Sequence, residues 1–126
     1  RFKKDLIRKK ITVGENYIKC FKKNNLVYGQ KIFKNSNPVY WLNSLIFENL
    51  SANKIRNLGE NLKKQGIEVR SGFWPLNELN SFNSIYITKE NISKHIFNKI
   101  LILPSSYDLS SKDISFITKK ILNYLK

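Results

Sequence analysis

Along the first stretch of the chain, apolar residues recur at helical spacing. Ile7, Ile11, Gly14, Ile18 and Phe21 fall on one side of a helix, with lysines on the other. The pattern predicts one long amphipathic helix from Phe2 to about Lys23, ended by Asn24-Asn25, with Gly14 marking a close packing contact. After a turn at Lys34-Asn35-Ser36-Asn37-Pro38 the pattern changes. VYWLNSLIF, residues 39 to 47, is apolar on both faces, as expected of a strand covered on both sides. Ser51 is placed to cap a second helix with Ile55, Leu58 and Leu62 inward. Lys63 and Lys64 suit its last turn, and Gly66 suits the left-handed position beyond it. GIEVRSGFWPL, residues 66 to 76, then reads as a strand in which Ile67, Val69 and Phe73 alternate with Glu68 and Arg70.

The second half is less regular. Pro75 to Asn83 reads as a loop or a short helical turn, and Thr88 as the cap of a helix through Lys99 with Ile92 and Ile96 inward. ILILP, residues 100 to 104, is a short buried strand closed by proline. Ser110 to Asp113, SSKD, has the spacing of a capping box and starts a last helix with Ile114, Ile117, Ile121 and Leu125 on one side. The expected fold is α/β (α+β): a long N-terminal helix, then a small three-stranded sheet with helices packed against it.

Composition narrows the class. At 126 residues the chain suits one domain, and its 41% hydrophobic and 13% aromatic content argues for a folded one. No apolar run is long enough to span a bilayer, so no membrane role is expected. A single cysteine, Cys20, fits a reducing, cytoplasmic setting. There is no methionine, even at position 1, so a processed chain or a fragment is expected.

Charge pulls in two directions. With 23 Lys+Arg against 9 Asp+Glu the formal net charge is +14, which admits nucleic acid as a partner. The plainer account is that AT-rich codons supply lysine, asparagine and isoleucine together. Doublets such as Lys63-Lys64 and Lys119-Lys120 then sit on solvated helix faces.

Catalytic chemistry is sparse. One histidine, His95, and one cysteine cannot make a clustered metal site, and His95 beside an apolar stripe reads as structural. Neither GxGxxG nor GxxxxGK occurs, and no nucleophile elbow is present. Arg70 stands out in a chain whose positive charge is mostly lysine, because Gly72, Phe73, Trp74 and Pro75 follow it. A guanidinium suits bidentate capture of carboxylate or phosphate. Arg70 equally fits a surface arginine paired with Glu68, and Phe73 and Trp74 equally fit core packing.

Several stretches occur in an order that resembles a known family. They are Val39-Tyr40-Trp41-Leu42, Gly66-Ile67-Glu68-Val69-Arg70, Phe73-Trp74-Pro75-Leu76, Leu103-Pro104-Ser105-Ser106, and Leu109 to Ile114. Together they are similar to the C-terminal domain of the DegT/DnrJ/StrS aminotransferases, pyridoxal-phosphate enzymes that aminate keto groups of nucleotide-linked sugars. The family has histidine after Pro-Leu, where this chain has Asn77. An amide can hydrogen-bond a ligand but cannot carry a proton near neutral pH.

The resemblance implies that residues 1–26 form the long helix between domains and 38–126 the small α/β domain. It implies that the large domain with the Schiff-base lysine is missing, and that no catalytic residue lies in this chain. Pyridoxal phosphate, a nucleotide-sugar, an amino-acid donor and a homodimer would belong to the intact cytoplasmic enzyme, in cell-surface polysaccharide or deoxy-amino-sugar biosynthesis. Arg70, Trp74 and Asn77 would line the substrate side. A surface of Val39, Trp41, Phe73 and Trp74 would be left uncovered in the isolated chain, and no stable cofactor site is expected in it. The alternative is a stand-alone basic module that binds nucleic acid or a protein partner.

Overall fold

A computed structural model of the chain describes residues 2–22, 24, 32–79 and 92–126. In order along the chain it contains α1 (Phe2–Phe21), β1 (Asn43–Ile46), α2 (Ala52–Lys64), β2 (Arg70–Ser71), a 3-10 turn (Leu76–Glu78), α3 (Ile92–Phe97), β3 (Ile100–Leu103) and α4 (Ser111–Tyr124). Thr88 and the end of the loop expected through Asn83 lie outside the described residues.

Helix α2 forms where its local signals say. The Ser51 side chain accepts a hydrogen bond from the Lys54 amide at 3.3 Å, satisfying one of the free N–H groups of the first turn. Ile55, Leu58 and Leu62 are buried along one stripe. The amides of Gln65 and Gly66 close on the Leu62 and Lys63 carbonyls, and Gly66 takes φ +77°, a conformation open to glycine at little cost. Helix α4 starts on a full capping box. Ser110 Oγ accepts from the Asp113 amide, and the Asp113 carboxylate accepts from the Ser110 amide at 2.9 Å.

The sheet runs β1-β3-β2 with both pairings antiparallel. Leu45 pairs with Leu101 and Asn43 with Leu103, while Arg70 and Ser44 share Ile102 as their partner across the ladder. Alternation along the strands therefore sends Leu45, Leu101 and Leu103 towards the helices and Arg70 and Ile102 to the other face. Phe47, Leu58, Leu62 and Ile121 are fully buried in the cluster that joins α1, α2 and α4 to the sheet. Each such side chain contributes about 1.5–3 kcal/mol by leaving water.

Helix α1 is tied to the rest by a hub of backbone carbonyls. The Tyr17 hydroxyl donates to Pro104 O at 3.1 Å, and the Lys10 ammonium donates to Trp41 O at 3.2 Å and to Ser105 O. Ser105 Oγ accepts from both the backbone and side-chain amides of Asn43, at 2.9 and 3.0 Å, and donates to Leu103 O. The Leu103-Pro104-Ser105 stretch is thus the joint between strand, loop and first helix.

Four expectations are corrected. The buried stripe of α1 is Val13, Gly14, Tyr17 and Phe21, with Ile7 exposed and Ile11 and Ile18 half-buried. It is rotated because α1 seats on Tyr40 at Gly14, where a Cβ would overlap the Tyr40 ring. The paired part of the first strand is only residues 43–46, because Tyr40 adopts φ +48°, a costly left-handed turn for an aromatic residue, and so turns the chain before Trp41. Phe73 does not continue the Ile67 and Val69 face. Gly72 lies against Ile100, where a Cβ would collide, and the chain leaves the sheet there. Finally, Ile92 and Ile96 are exposed and His95 is on the surface, since the ring that α3 docks is Phe97, set edge to face on Trp74.

Candidate functional site

Among the described residues β2 is an edge strand, and between it and α2 the surface sinks into a groove of about 450 Å³. Its α2 bank follows from helical spacing. Ala52, Arg56, Gly59 and Lys63 sit beside the buried Ile55-Leu58-Leu62 stripe, so they face the sheet edge rather than the core. Val69 and Leu101 supply an apolar floor, and Trp74 and Phe97 close one end. The two rings meet edge to face, with centroids 4.7 Å apart and planes at 70°.

Of the residues singled out in the sequence, Arg70 and Trp74 border this groove together, while Asn77 lies outside its lining in the 3-10 turn, half-buried. Arg70 is exposed, and among the described residues no ion pair joins it to Glu68; the ion pair formed there is Lys94 with Glu78 at 3.0 Å. Arg56 donates to Asn53 Oδ1 at 3.1 Å. Among the described lining residues, Arg56 and Lys63 on α2 and Arg70 on β2 stand against one carboxylate, Glu60. A negatively charged group is favoured there. Arg56 and Gly59 escaped attention in the sequence, and Lys63 was read only as a last-turn lysine on a solvated face, because together they look like an ordinary polar helix face. Their spacing of three and four residues was the available signal.

A second surface adjoins the first. Trp41 and Phe73 stack at 6.3 Å between centroids with planes 26° apart. Both are 66% exposed, Trp74 is 55% exposed and Val39 49%. Tyr40 is buried between Val39 and Trp41 on the Gly14 notch, so one anchored ring holds two apolar neighbours outward.

Residues 3–122 match the DegT/DnrJ/EryC1/StrS aminotransferase family. The chain belongs to that family. No curated protein matches it in sequence, but solved structures share its fold. Spr1654 of Streptococcus pneumoniae, named as a sugar aminotransferase, superposes in its PMP form with a TM-score of 0.85 at 16% identity, over 94% of this chain and 30% of its own. PseC of Helicobacter pylori, an aminotransferase involved in the biosynthesis of pseudoaminic acid, gives 0.81 at 14% identity over 94% and 32%. CalS13 of Micromonospora echinospora, a sugar aminotransferase, gives 0.78 at 14% over 93% and 30%. The chain therefore spans about a third of the length of these structures.

Spr1654 is also solved in a PLP form. The groove of this DegT-family chain does not fit that cofactor as a resident group. Lys63, the lysine among its described lining residues, is exposed on the last turn of α2 rather than enclosed, and the amines of Lys10 and Lys99 are engaged by backbone carbonyls elsewhere. A protected Schiff base needs an enclosed amine with a partner for the pyridine nitrogen. Among the described residues no group of His, Cys, Asp and Glu could hold a metal ion, and no helix is long and apolar enough to cross a membrane.

Proposed function

We propose that this chain is the C-terminal, small-domain part of a pyridoxal-phosphate-dependent aminotransferase that acts on keto groups of nucleotide-linked sugars. The observation that carries the reading is a family match over nearly the whole chain, combined with a fold that accounts for only about 30% of each structure it resembles. In this reading the larger remainder brings the Schiff-base lysine and the cofactor's anchors. This chain supplies one wall of the cleft. Arg70 orients an anionic group of the amino donor or the sugar nucleotide, Trp74 packs beside it, and Asn77 offers a neutral hydrogen bond where the family has histidine. The exposed Val39, Trp41 and Phe73 are the surface the larger domain covers, and the complete enzyme is a cytoplasmic homodimer that serves polysaccharide or deoxy-amino-sugar biosynthesis.

The test is steady-state kinetics on the complete enzyme read from the frame that includes Arg1. Arg70→Lys keeps the charge and removes the planar fork, so KM for donor or sugar rises about tenfold while kcat changes less. Unchanged kinetics would return Arg70 to a surface role and remove the substrate wall from the account.

A further inference from the structure

Gly59 sits in the middle of α2, where glycine costs about 1 kcal/mol relative to alanine. Neither of the usual excuses applies. A Cβ at this position would meet Leu101 and Val69 at 3.7 Å, ordinary contact distance, and its φ is helical. What the glycine does is keep the floor of the groove low between Arg56 and Lys63. At the end of the same groove, Trp74 is 55% exposed yet held at a fixed angle by Phe97. A volume of about 450 Å³ is that of a small-molecule site rather than a surface wrinkle.

We infer that the α2–β2 groove binds an organic anion with a flat ring, the ring lying over the Gly59 floor against Trp74 and the phosphate or carboxylate held by Arg56 and Lys63. The inference rests on the reading of Arg70 and Trp74 as ligand-facing, and it adds a cationic bank on α2 that this reading does not contain. Among the described residues, three lining cations oppose one carboxylate, and neither Arg56 nor Lys63 spends its charge on an ion pair. Stacking supplies sequence-tolerant grip on any flat ring, and the cations select for negative charge. Because Arg56 and Lys63 are exposed, that selection weakens as salt is added.

The probes are uridine 5′-monophosphate, uridine and inorganic phosphate, titrated against this chain carrying Trp41→Phe so that Trp74 is the reporting tryptophan. The nucleotide should quench Trp74 saturably, with uridine and phosphate each at least tenfold weaker. Arg56→Ala with Lys63→Ala should weaken the nucleotide at least fivefold without moving Tm, since both side chains are on the surface. Non-saturating quenching, phosphate as effective as the nucleotide, or binding insensitive to Arg56 and Lys63 overturns the inference. Arg70→Ala, measured alongside, separates the two readings. Loss with Arg70→Ala alone overturns the α2 bank and leaves the substrate wall standing.

Discussion

The helix-covered face of the sheet and the aromatic edge beside it are built from the same kinds of side chain and meet opposite environments. On the first, Leu58, Leu62, Ile114 and Ile121 are at most 1% exposed. On the second, Trp41 and Phe73 are each 66% exposed although they are larger and equally apolar. Hydrophobicity therefore does not separate the two regions; backbone does. The covered face follows regular helix and strand periods, so each apolar side chain points where its neighbours already are. At the edge, Tyr40 at φ +48° and the glycine at position 72 interrupt the strand period, and the rings that follow are turned out. In the proposed reading, this stacked, anchored aromatic pair facing water is the surface that the larger domain covers.

That contrast can be broken most forcefully by truncation. Leu58→Ala removes a fully buried side chain and should cost about 2–5 kcal/mol, read by chemical denaturation, whereas Trp41→Ala should change stability by less than about 0.5 kcal/mol. Comparable losses at the two positions would mean that the edge belongs to the core.

Two glycines sharpen the comparison at the next level. Gly14→Ala pushes a methyl into the Tyr40 ring that anchors the edge, so it should destabilise by about 1–3 kcal/mol. Gly59→Ala has room and a helical backbone, and should raise stability by about 0.5–1 kcal/mol. Thermal melts of the two variants should therefore move in opposite directions.

Of similar size to the Gly59 effect is that of the Tyr17 hydroxyl, which ties α1 to the Pro104 carbonyl. Burial pushes its pKa far above the ordinary value of 10.0, with the nearby Cys20 and Asp113 adding to the rise. The folded state thus holds this proton more tightly than the unfolded one. The stabilisation is complete below pH 10 and is lost as pH rises beyond it. Absorbance titration should show Tyr17 ionising only with unfolding. Tyr17→Phe should lower stability at neutral pH by about 0.5–1.5 kcal/mol and shift alkaline unfolding upward.

Much of the covered face was legible in the sequence. Ser51, Gly66 and the Ser110–Asp113 box fixed helix ends through local hydrogen bonds, and the Leu58-Leu62 and Ile114-Ile117-Ile121 stripes marked inward faces. The edge was not, because its geometry depends on contacts distant in sequence. Tyr40 enters a notch made by Gly14, and Gly72 yields to Ile100. The exposed Val39, Trp41, Phe73 and Trp74 were nonetheless anticipated, from the resemblance to a small domain that a larger domain would cover. Of the groove, Arg70 and Trp74 were visible as unusual residues in an unusual place. The α2 bank was not, since nothing in a polar helix face tells which polar residues look across at a strand edge.

In the reading proposed above, the Trp41–Phe73 edge is a docking face. Sedimentation velocity of the chain across a salt series tests it most directly. A net charge of +14 keeps copies apart at low salt, and screening relaxes that repulsion over a distance of about 10 Å at 0.1 M. Self-association should therefore strengthen as salt is added, and Trp41→Ser with Phe73→Ser should abolish it. A chain that stays monomeric at every salt concentration, or one whose association ignores both substitutions, would contradict the claim.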